Sequence, residues 1–109
     1  MGISLTSRRV GNVLVVDMAG RLTVLDQSLK VRVLESVKAG DQNIVLNMKQ
    51  LSYIDSSELG QLMSIHAAVK EAGGNLRLLS PSTQIRQLLN ITRLETVFEV
   101  IDDESRLSA

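Results

Sequence analysis

Asp55, Ser56, Ser57 and Glu58 put two carboxylates and two hydroxyls in four consecutive positions. That set can do one of two things. It can satisfy the free N–H groups at the start of a helix, Asp55 and Glu58 having the three-residue spacing of a capping box. It can also present a hydroxyl for modification, because the first residues of a helix protrude and an anion placed there faces the positive end of the helix dipole. Hydrolytic chemistry is a poor third. The sole histidine, His66, lies ten residues downstream on an apolar stripe, where a packed side chain is the usual role. With no cysteine and one histidine, a transition-metal site is improbable. Gly73-Gly74 lies at a helix end, so no glycine-rich phosphate loop is present, and the sequence implies no cofactor.

The flanking elements place this set at a strand-to-helix turn. Upstream, Asn43 to Met48 has the pattern of a buried strand. Downstream, Leu59, Leu62, Met63, His66 and Val69 recur at helical spacing, which predicts a helix from about Ser56 to Ala72. Before them, Ile3 to Arg9 and Val13 to Met18 read as two strands joined at Gly11-Asn12, a hairpin. Ala19-Gly20-Arg21-Leu22 then breaks the strand pattern. Leu25, Leu29, Val33 and Val37 mark an amphipathic helix that Gly40 stops. Asn75 to Leu79 is a further strand. Ser80-Pro81-Ser82 starts a third helix with Pro81 near its first turn, and Ile85, Leu88 and Leu89 form its buried stripe. Val97 to Ile101 reads as the last strand, and 102–109 as a polar tail.

The element order is β-β-α-β-α-β-α-β. Strands alternating with helices imply parallel pairings and right-handed crossovers. The expected fold is therefore α/β: one domain over 1–109, a small mixed sheet packed with helices, its hairpin adding an antiparallel edge. At 109 residues such a domain buries roughly two-thirds of the surface of its unfolded chain.

Composition narrows the function classes. Twelve basic and twelve acidic residues cancel without any like-charge block, which disfavours nucleic acid and anionic membranes as partners. Tyr53 and Phe98 are the only aromatic residues, too few for base-stacking platforms. No apolar run approaches the length of a membrane span, and no signal peptide is visible, so a cytoplasmic location is expected.

Asp55-Ser56-Ser57-Glu58-Leu59-Gly60 after a hydrophobic strand resembles the signature of the STAS domain, the fold of bacterial anti-sigma-factor antagonists, and the order of elements matches that fold along nearly the whole chain. The resemblance implies that Ser56, directly after the aspartate, is a phosphorylation site, with Ser57 as runner-up. It also implies that Asp55, Ser56, Ser57, Glu58 and Gly60 contribute to a partner-binding surface. The partners would be an anti-sigma factor, usually itself the serine kinase, and a phosphatase that resets the switch. The protein would be a substrate and not an enzyme, a monomer or weak dimer. A scaffold subunit, a lipid-transporter accessory and a nucleotide- or ligand-sensing domain are alternatives within the same fold. The chain departs from the family pattern at three places. Glu58 replaces a glycine, Arg21 replaces an acidic residue after the second strand, and Arg93 replaces a glycine near the end of the third helix. Glu58 is expected to present its charge to a partner with a matching basic residue.

Overall fold

A computed structural model describes residues 2–23 and 27–107. Two strands, β1 (Ile3–Val10) and β2 (Val13–Leu22), form the hairpin. They are followed by α1 (Ser28–Lys38), β3 (Asn43–Ile54), α2 (Ser56–Glu71), β4 (Asn75–Leu79), α3 (Thr83–Ile91) and β5 (Glu99–Ile101), with short 3-10 turns at Leu94–Thr96 and Glu104–Arg106. The strands stand in the order β1-β2-β3-β4-β5. β1 and β2 are antiparallel, and the remaining neighbours are parallel. The expected mixed α/β sheet is the one observed. Leu25, expected on the first helical stripe, lies outside the described residues.

One face of the sheet holds the main core. Val16, Met18 and Leu22 of β2 and Ile44, Leu46, Met48, Leu51 and Ile54 of β3 pack there against Leu29 and Val33 of α1, Leu59, Leu62, Ile65 and Val69 of α2, and Ile85 and Leu89 of α3. The alternating residues Val13, Val15, Val45, Leu79 and Ile101 build a smaller cluster that Leu107 closes. The reading of 102–109 as a polar tail is corrected at Leu107, residues 108–109 lying outside the described residues. Leu107 is buried, and its carbonyl accepts from Arg77 Nη2 across 3.1 Å. Upstream of it, Glu104 takes two bonds from Arg8, whose guanidinium also forks onto Asp17.

The central strands are longer than the sequence pattern indicates. β2 continues to Leu22 and β3 to Ile54, because the two keep pairing through register shifts between Asp17 and Ala19 and between Gly20 and Arg21. Each shift inserts an extra β3 residue, which destroys the alternation by which a strand is recognised. Gly20 is required at this bend: its φ is +101°, and a Cβ there would lie 2.6 Å from the Gly2 carbonyl oxygen. Beyond Asn47, β3 has no β4 partner among the described residues, and Tyr53 and Ile54 line a groove together with Ile85 and Leu88 of α3.

The helix ends follow their caps. Gly40, at φ +102°, donates to the Val37 carbonyl while Asp41 donates to Ser36, which satisfies the last carbonyls of α1. Pro81 precedes the capping residue Ser82 and lies outside the first turn of α3. That helix ends at a left-handed residue as a glycine-capped helix would, but the residue is Arg93, at φ 64°.

Candidate functional site

The strand β3 leads into α2 through Asp55, whose extended backbone makes it the capping residue. One of its carboxylate oxygens, Oδ1, accepts the Glu58 backbone N–H at 3.1 Å and the Ser57 hydroxyl at 2.6 Å. Asp55 therefore closes the helix start and holds Ser57 with the same atom. Ser56, at the first helical position, is exposed, and its hydroxyl has no hydrogen-bond partner among the described residues. Of the tandem serines, one is committed to the cap and one is free.

Glu58 does not fit the expectation of an outward charge. Its residue exposure is 0 %, and it packs inward on the same side of α2 as Leu59 and Leu62. The third helical position of α2 is turned away from solvent, so the side chain that stands where the resembled pattern has glycine is directed into the fold. It offers no charge for a partner to contact. Gly60 is exposed, and a Cβ on it would meet nothing within 4 Å, so the surface there is bare backbone by composition and not by crowding.

His66 packs edge-on against Phe98, their ring centroids 5.2 Å apart and 75° between planes. Burial holds its pKa below the ordinary value, with the Lys70 charge a smaller contribution. It lies ten residues beyond Ser56, about 15 Å along α2. The two are not brought together as nucleophile and base. Among the described residues, no group of three His, Cys, Asp or Glu side chains is placed to hold a metal ion. No described helix is long and apolar enough to cross a membrane.

Two features beside the helix start escape a reading of the sequence. Parallel pairing places Arg21 of β2 next to Tyr53 of β3. The Arg21 guanidinium lies over the Tyr53 ring, its Cζ 4.3 Å from the centroid, and both residues are exposed. On the other side, a groove of about 340 Å³ runs between β3 and α3, lined by Tyr53, Ile54, Ile85 and Leu88, with Ser52, Ser82 and Gln84 also on its walls. The one available signal was Tyr53 itself, an aromatic residue two places before Asp55 in a chain nearly devoid of aromatics.

Known proteins resemble this chain over most of its length. The sequence profile of the STAS domain matches residues 4–106. The anti-sigma-B factor antagonist of Bacillus subtilis is 26% identical over 100 residues, covering 92% of each chain. A Thermotoga neapolitana protein provisionally assigned as an anti-sigma factor antagonist is 31% identical over 68 residues. That match covers 62% of this chain and only 60% of the relative. Among solved structures, the Bacillus cell fate determinant SpoIIAA in its phosphorylated form superposes with a TM-score of 0.74 at 19% identity, over 96% of this chain and 97% of that one.

Proposed function

This chain belongs to the STAS domain family, and from that membership we propose that it is an anti-sigma-factor antagonist switched by phosphorylation of Ser56. Unphosphorylated, it binds an anti-sigma factor and releases the sigma factor. A serine kinase, the anti-sigma factor itself in the simplest arrangement, phosphorylates Ser56 and ends the complex. A phosphatase restores it. The protein acts as substrate and switch and catalyses nothing in this cycle.

The observation that carries this reading is the division of labour between the two serines. Ser57 is engaged by Asp55, whereas the Ser56 hydroxyl is exposed and open to a kinase. A solved relative, SpoIIAA, exists in a phosphorylated form, which supports the modification as a property available to this fold. The proposed contact surface comprises Asp55, Ser56, Ser57 and Gly60. The Glu58 side chain, being buried, is left out of it.

The test uses the anti-sigma-factor kinases of the source organism, purified one at a time and incubated with this protein and ATP. Phosphopeptide mapping should place the phosphate on Ser56. Ser56→Ala should abolish labelling, and Ser57→Ala should retain it. Label on Ser57, or none anywhere between Asp55 and Gly60, would overturn the assignment.

A further inference from the structure

We propose that Arg21, held over the ring of Tyr53, selects a partner that carries a carboxylate beside the Ser56 contact; the proposal rests on the partner-binding reading of that contact. β2 and β3 run parallel, so Arg21 and Tyr53 stand together near the C-terminal ends of these strands. That is the edge of the sheet from which Asp55 and Ser56 open α2. Arg21 therefore shares an edge with the modifiable hydroxyl.

Among the described residues its charge meets no carboxylate. Arg8 is neutralised by Asp17 and Glu104, Arg9 by Asp41, and Arg86 by Asp102. Arg21 forms no ion pair among the described residues; its contact is the ring of Tyr53. A guanidinium placed over a ring face keeps N–H groups that the ring does not engage, and these can meet a carboxylate through two parallel bonds. The ring also fixes a long side chain before any partner arrives, which lowers the entropy lost on binding. Tyr53 is shared with the groove whose apolar wall is Ile54, Ile85 and Leu88. A partner segment with an Asp or Glu next to an aliphatic side chain fits both features at once. A partner presenting Lys or Arg at that place is repelled, so the same residue excludes as well as attracts.

The experiment measures, by calorimetry, binding of the unphosphorylated protein to the anti-sigma factor identified by the Ser56 labelling. Arg21→Glu should weaken binding at least about tenfold with an unchanged melting temperature, and Arg21→Lys should weaken it less. Tyr53→Leu, which keeps bulk but removes the ring, should fall between wild type and Arg21→Glu. The salt dependence of affinity should be shallower in Arg21→Glu. Changing exposed acidic residues of the anti-sigma factor to Lys, one at a time, should find one variant that binds Arg21→Glu better than it binds wild type. If Arg21→Glu binds within about twofold of wild type while Ser56→Asp has lost binding, the role of Arg21 is overturned and the switch at Ser56 stands. A joint fall in affinity and melting temperature with no charge-swap rescue assigns Arg21 a structural role and overturns the proposal too. If no anti-sigma factor binds wild type, the partner reading itself fails and the role of Arg21 falls with it.

Discussion

Ser57 donates its hydroxyl to Asp55 across 2.6 Å, onto the oxygen that already accepts the Glu58 backbone N–H. A single carboxylate oxygen thus orders the first turn of α2 and leaves Ser56 as the serine with an open hydroxyl. Asp55→Ala removes both bonds and should cost about 1 kcal/mol of stability, the usual value of a helix cap. Asp55→Asn keeps an acceptor and should cost clearly less. Urea unfolding of the two variants checks the order.

Phosphate on Ser56 should leave the fold intact and act on the contact surface. The helix start favours an anion by about 0.3–1 kcal/mol at an exposed position, and screened repulsion from Asp55 opposes it. The net effect on stability is near zero. At an interface, a group of about −1.5 to −2 charge must be desolvated against a surface shaped for a hydroxyl, which costs several kcal/mol. Ser56→Asp, with less charge, should melt close to wild type yet bind the anti-sigma factor at least about tenfold more weakly. Loss of helical signal in the variant would instead identify distortion of the fold as the mechanism.

Burial of Glu58 changes what its replacement is expected to do. Glu58→Gly forfeits about 1 kcal/mol of helix propensity and also empties space in a close-packed region, so unfolding should show a loss larger than propensity alone. Glu58→Gln, nearly the same shape, should shift the melting temperature without changing affinity for the anti-sigma factor. A changed affinity in a fully folded Glu58→Gln protein would return this residue to the contact surface.

Arg93 holds a left-handed conformation at φ 64°, donating its N–H to the Asn90 carbonyl at 3.1 Å. A side chain in that region costs about 1 kcal/mol or somewhat more relative to glycine. Arg93 is exposed and forms no ion pair among the described residues that its removal would break. Arg93→Gly should therefore stabilise the protein by about 1 kcal/mol, seen as a higher urea midpoint with an unchanged slope.

The clasp at Arg8 predicts a pH dependence. The Asp17 carboxyl is held below its ordinary pKa, first by Arg8 and further by Asn47, with burial opposing both. A carboxylate of lowered pKa stabilises the fold above its unfolded value and loses that contribution as pH falls through the folded one. Stability should drop as pH falls below about 4, and Arg8→Met should flatten that drop. His66, its pKa also lowered, adds a decline starting near pH 6.5 in both proteins, so the difference between them isolates Arg8 and its carboxylates. Equal slopes below pH 4 would mean that the pair does not couple to folding.

Local signals alone determined the order of elements, the caps at Gly40 and Asp55, and the exposed serine pair. Caps and amphipathic stripes are settled within a turn or two of helix, by orphan N–H and carbonyl groups and by which side chains leave water. Tertiary structure decided the rest. β2 and β3 reach Leu22 and Ile54 only because each has the other to pair with, and their shifted register erased the alternation that would have revealed it. The burial of Glu58 follows from how the start of α2 packs into the fold, since a capping-box spacing is the same whether the third residue faces solvent or core. Leu107 is apolar but single, so only the cluster of Val13, Val15, Val45, Leu79 and Ile101 beneath it makes it a core residue. Arg21 and Tyr53 are 32 positions apart, neighbours solely through parallel pairing. Such contacts depend on where distant segments come to rest, and no window of neighbouring residues contains that information.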